Sequence, residues 1–139
     1  MNLDKIVWAT ALTSFALIPG IALVQSAPLD TVTPAFSETI PDIPGKSINA
    51  IVVTYKPGGK SPPHHHARSA FVIGYVLSGS IRSQVNGGEV QVFRAGEHWT
   101  EAPGAHHDIS ENASATEPAS LLAIFIADTN ETVLTTFDR

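Results

Sequence analysis

A chain of 139 residues has the length of one domain and, at most, an extension. Its net charge of −5 comes without any basic cluster, which argues against a nucleic-acid partner. Cysteine is absent, so disulfides and thiolate metal ligands are excluded and the redox compartment is left open.

The chain begins with the short polar stretch "MNLDK" and continues into an uncharged apolar run of 19 residues, Ile6 to Val24, interrupted by Pro19 and Gly20. Small residues at Val24 and Ser26 have the spacing an export peptidase prefers, so residues 1–26 read as a secretory signal cleaved near Ser26 or Ala27. A retained membrane anchor is the alternative, and only then does the chain have a membrane partner. Export to a periplasmic or extracellular location follows from the first reading. Residues 27–45 carry Pro28, Pro34, Pro41 and Pro44 among small and polar residues, and read as an extended arm or linker rather than a helix.

From residue 46 to 139 no segment has helical periodicity, and short β-type runs are cut by turn residues. "SINAIVVTYK" is rich in β-branched residues and ends at "PGGK". "AFVIGYVLSG" is almost continuously apolar, as expected of a strand buried on both sides or lining a barrel; within it Phe71 and Tyr75 read as pocket lining or core. Gly74 marks a bulge or a close approach. In "SIRSQVNGGEVQVFRAGE", Ile81, Ser83 and Val85 alternate with Arg82 and Gln84, "NGG" turns the chain, and Val90 and Val92 resume the alternation. "ASLLAIFIAD" is a further buried strand. Short strands at regular spacing predict an all-β fold, an antiparallel sandwich or barrel.

All six histidines lie between positions 64 and 107, as His64, His65, His66 and then His98, His106, His107. In a strand, residues i and i+2 face the same side. His64 and His66 therefore aim together and form a two-point grip on a divalent metal, while His65 looks away. A Pro-Gly turn in "EAPGAHHD" delivers His106 or His107 as a third ligand at the start of the next strand. His98 alternates with Trp99 and reads as surface; Arg68 lies near the site mouth, where it meets an anion or simply solvent.

These stretches resemble the two motifs of the cupin superfamily, small single-domain β-barrels of jelly-roll type. Gly58, His64, His66 and Gly79 fit the first motif, Gly, five residues, His-x-His, then Glu and Gly. Gly96, Gly104 and His107 fit the second, with Ala102 where proline is usual and Asn112 one place late. The resemblance spans about Ile48 to Asp128. It implies one divalent ion per chain (iron, manganese, nickel or zinc) held within the barrel by His64, His66 and His107, with His106 at the rim. The glutamate of the first motif would fall at Ala70 or Phe71, neither of which binds metal.

Without that carboxylate the site has a charge near +2, which favours an anionic substrate or recruits a carboxylate from another strand. Glu101 is the candidate. Glu97, Trp99 and Glu101 share one face, and the family resemblance implies that the positions of Trp99 and Glu101 point inward. A buried carboxylate is costly unless it is paired with the metal or used in proton transfer, so Glu101 is either a fourth ligand or a general base; a strand turned the other way would leave it in solvent. The resemblance further implies a metal-binding protein, with an oxygenase-like oxidoreductase acting on a small organic substrate as the preferred activity. A metal-dependent isomerase or lyase, or a non-catalytic binder of a sugar or carboxylate, are the alternatives. Edge strands and the arm at 27–45 point to a homodimer.

Overall fold

The computed structural model describes residues 29–139; the segment read as a signal, residues 1–26, lies outside the described residues. Every regular element among them is a strand, and every pairing is antiparallel. One sheet is built from β1 (Asp30–Thr39), β2 (Lys46–Tyr55), β5 (Phe71–Ser78), β8 (His98–Glu101) and β10 (Ala119–Asp128), in the order β1-β2-β10-β5-β8. The other contains β4 (His64–His66), β6 (Ser80–Val85), β7 (Gln91–Arg94), β9 (His106–Asn112) and β11 (Thr135–Phe137), in the order β11-β4-β9-β6-β7, with the short β3 (Lys60–Ser61) also on β9. The inner faces of the two sheets enclose one core that includes Val53, Val72, Val76, Leu121 and Phe125 from the first and Ile81 from the second.

Within the proline-bearing stretch, Asp30–Thr39 forms β1, which pairs along β2 of its own chain. The register shifts between Pro34 and Phe36, and β1 is an edge strand, the position where a residue without an N–H does least harm.

In two strands the apolar residues divide between the inner and outer faces, and β5 lines the barrel rather than being buried on both sides. β5 is buried on one side only: Val72, Gly74 and Val76 point inward, whereas Phe71, Tyr75 and Leu77 lie exposed on the outer face. Phe71 and Tyr75 therefore neither line the pocket nor enter the core. An apolar run has no visible phase in the sequence, and here the pleat assigned the inside to the smaller residues. Likewise Val90 and Val92 are exposed, and Phe93 is the residue of β7 that packs inward, opposite Ile81. The connection after Val85 runs over residues 86–90, longer than a two-residue hairpin turn, with Asn86 and Gly87 both at positive φ (52° and 64°).

In the first sheet, Gly74 on β5 pairs with Ala123 on one side and with Trp99 of the edge strand β8 on the other. A Cβ on Gly74 would sit 2.4 Å from Cζ2 of the Trp99 indole, so the glycine makes the space in which that ring lies. A Gly74→Ala substitution is expected to push the ring away and destabilise the fold by about 1–3 kcal/mol, the usual cost of overpacking. Chemical denaturation of the two proteins measures this, and an unchanged midpoint would contradict it.

Candidate metal centre

The site is assembled by strand register. His64 is paired with His107 across β4 and β9, and the pleat that turns His64 and His66 inward turns His107 to the same interior. All three are buried, at 7%, 7% and 4% exposure. Each offers a ring nitrogen within 4.8 Å of the others, a cluster able to hold one metal ion. His65 is exposed, His98 is exposed at the start of β8, and His106 lies half-buried on the outer face. Arg68 is exposed, close to Gly104.

Glu101 is buried at 2% exposure, the inward partner of Trp99 on β8, and Glu97 lies in the exposed turn before them. Trp99 Nε1–H donates to Glu101 Oε1 at 2.9 Å. The same carboxylate stands 3.3 Å from His107 Nδ1 and 3.1 Å from His66 Nε2. Ala70, where the motif would place its glutamate, is a fully buried alanine, and Phe71 faces outward. The cavity's carboxylate thus arrives from β8, on the strand paired with β5, with Glu101 opposite Val72.

The imidazoles are oriented from behind. His64 Nδ1–H donates to the Pro62 carbonyl at 2.8 Å, which leaves Nε2 with its lone pair. His66 Nδ1 is 3.3 Å from Thr135 Oγ1, and His107 Nε2 is 2.9 Å from Ser83 Oγ. Burial lowers the pKa of His107 to about 4 and lowers that of His64 as well, so both rings are neutral near pH 7, the form in which imidazole binds metal. Burial alone would raise the Glu101 carboxyl, but the contact with His66 and the nearness of the His107 ring outweigh it and hold the acid below its ordinary value.

Among the described residues, two buried side-chain atoms have no hydrogen-bond partner: His66 Nε2 and Glu101 Oε2, which face each other at 3.1 Å without hydrogen-bond geometry. A buried polar atom left in this state costs about 1–3 kcal/mol. A cation shared by a neutral imidazole and a carboxylate satisfies both, so the residues present fit a metal ion.

Sequence reasoning did not reach several residues around the site. Ser83 is one, although its alternation with Ile81 already turned it inward. Tyr55 is another: its hydroxyl is 2.8 Å from Ser61 Oγ and 2.9 Å from Ser110 Oγ at the cavity wall. Thr135 and Phe137, from the last strand, also line the cavity, and the Phe137 ring packs 5.6 Å from that of His64. The remaining walls are mainly apolar, among them Val53, Leu121 and Phe125.

Two antiparallel sheets enclose a cluster of three histidines able to hold an ion, with a carboxylate beside it, and define a small β-barrel. The chain belongs to the cupin domain family, matching it over residues 51–125. It is 32% identical over 115 residues to germin-like protein subfamily 2 member 2 of Arabidopsis thaliana, covering 80% of this chain and 51% of that protein, so it spans about half the length of that relative. A solved oxalate oxidase in complex with the substrate analogue glycolate superimposes with a TM-score of 0.59 at 26% identity, over 81% of this chain and 56% of that one. The structure of KdgF from Halomonas sp. matches in fold, with a TM-score of 0.58 at 16% identity, over 78% and 88% of the two chains.

Proposed function

We propose that this cupin is an exported, mononuclear metal-dependent oxidoreductase for a small organic substrate, its ion held by His64, His66 and His107 with Glu101 as fourth ligand. The observation that carries the reading is the facing pair of unsatisfied buried atoms, His66 Nε2 and Glu101 Oε2, beside the other two imidazoles. A bound divalent ion supplies Lewis acidity, and iron or manganese supplies one-electron chemistry as well.

The chain's own residues supply the rest. Pro62 holds the His64 ring and the Trp99 indole N–H holds Glu101 Oε1, which fixes the donors before anything binds. With three neutral imidazoles and one carboxylate, the loaded site has a charge of about +1. Among the described residues no lysine or arginine lines the cavity, so an oxygen-bearing end of the substrate meets the ion while its carbon skeleton lies against Val53, Leu121, Phe125 and Phe137. The likeness to oxalate oxidase structures supports oxidation over the other cupin chemistries.

Elemental analysis of protein purified without a histidine tag, followed by oxygen uptake with phenolic and dicarbonyl compounds, tests the proposal. Iron or manganese with oxygen consumption is the expected result. Zinc or nickel without turnover would favour a ligand binder or an isomerase. Export rests on the apolar run Ile6 to Val24; an intact Met1 on a cytoplasmic product would refute it. Pairing of two copies rests on the outer edge of β1 with its exposed Phe36, and a monomer in sedimentation would refute that.

A further inference from the structure

The register that directs His64 and His107 inward directs their neighbours His65 and His106 outward as a second cross-strand pair. The two outer rings lie side by side, centroids 4.3 Å apart and planes inclined by 34°. Asp138 reaches the same spot from the residue after β11. β11 is registered on β4, with Thr136 opposite His65, and the Asp138 N–H donates to the Pro63 carbonyl at 3.0 Å. Its carboxylate thereby comes to rest 2.8 Å from His106 Nε2 and 3.8 Å from His65 Nε2.

We propose that His65, His106 and Asp138 form a second metal site, on the outer face of the barrel, that takes a zinc-type divalent ion with solvent as its remaining ligand. The three ligand atoms lie within 4.8 Å of one another. Ligand atoms of a tetrahedral zinc site with bonds near 2.0–2.1 Å stand about 3.3 Å apart, and the distances from His106 Nε2 to Asp138 Oδ2 (2.8 Å) and from His65 Nε2 to Asp138 Oδ1 (3.8 Å) lie on either side of that value. His65 Nε2 is too far from Asp138 for a hydrogen bond, yet it faces the same carboxylate as His106, an arrangement that an ion pair leaves half-used and a shared cation completes.

His106 is already oriented as a ligand. Its Nδ1 lies 2.8 Å from Asp108 Oδ1, and Asp108 is itself fixed by the Gly87 N–H at 2.8 Å. A histidine backed by a carboxylate presents its other nitrogen to a metal. Both ring nitrogens of His106 face carboxylates, Asp138 and Asp108. Binding of a cation replaces the contact between His106 and Asp138 by one bond from each to the ion. Because Thr135 and Phe137 of β11 line the interior cavity, an ion here fastens the strand that closes that cavity from outside.

The test is zinc stoichiometry after equilibrium dialysis of full-length protein, read as the difference between wild type and His65→Ala. His65 is exposed, so its removal leaves the fold and the interior triad in place. The expected result is the loss of one zinc per chain in His65→Ala and in Asp138→Asn, with none lost in His98→Ala. Amide exchange gives a second readout: zinc should slow exchange at Thr136 and Phe137 in wild type and not in His65→Ala. Equal zinc content in wild type and His65→Ala, or loss of the same ion in His98→Ala, would overturn the proposal. The difference is informative whether or not zinc also fills the interior site, so it stands apart from the proposed activity.

Discussion

Replacing His107 with alanine is expected to weaken interior metal binding more than about 100-fold, beyond the 10–100-fold usually lost when only a residue supporting a ligand is removed. His107 is the only one of the three imidazoles delivered by β9, and it faces Glu101 from the side opposite to His66. Without it the ion would be held by two rings of a single short strand and one carboxylate. His64→Ala and His66→Ala should act in the same direction. His98→Ala, a substitution on the outer surface, should have no effect, and this separates coordination from a general loss of histidine. Competition with a chromogenic chelator measures the affinities, and circular dichroism of the metal-free proteins checks the fold. Retention of metal at wild-type affinity in His107→Ala would remove His107 from the ligand set.

Glu101→Gln is the second substitution with a large expected effect. Glutamine keeps the volume and an oxygen for the Trp99 N–H, so packing around the side chain is preserved. What it removes is the charge beside His66 and His107. If Glu101 is a ligand, affinity should fall by at least about tenfold and turnover should fall with it. A general base would give a different pattern, with metal content intact and turnover reduced by roughly 10²–10⁴. Unchanged metal content together with unchanged turnover would leave Glu101 with neither role.

The two inward histidines of β4 were legible because a two-residue period needs only three consecutive residues to be read, and His-x-His supplies them. The inward aim of Glu101 was legible in the same way once Trp99 was placed inside. Phase was harder to read in longer apolar runs. Phe71, Tyr75 and Val92 are as hydrophobic as the residues that were buried, and only the partner strands decide which side of the pleat meets the core. β1 was hidden for a related reason: prolines that would exclude a central strand are tolerated at a sheet edge, and nothing local announces that the edge is there.

Contacts between distant segments lay beyond any local pattern. Ser83 meets His107 because β6 pairs with β9, and Phe137 meets His64 because the last strand returns to β4. The outer cluster has the same origin. His65 turns away from the interior and His106 reads as a residue behind the ligands or at the rim, but Asp138, thirty-odd residues further on, joins them only through the register of β11.

The central claim is that one divalent ion sits inside this barrel on three imidazoles and a carboxylate. Anomalous diffraction at the metal edge, from crystals of tag-free protein, tests it most directly. A peak is expected between the two sheets, bonded to nitrogens of His64, His66 and His107 and to an oxygen of Glu101. Rings splayed too far apart to share an ion, with no peak among them in metal-replete crystals, would contradict it.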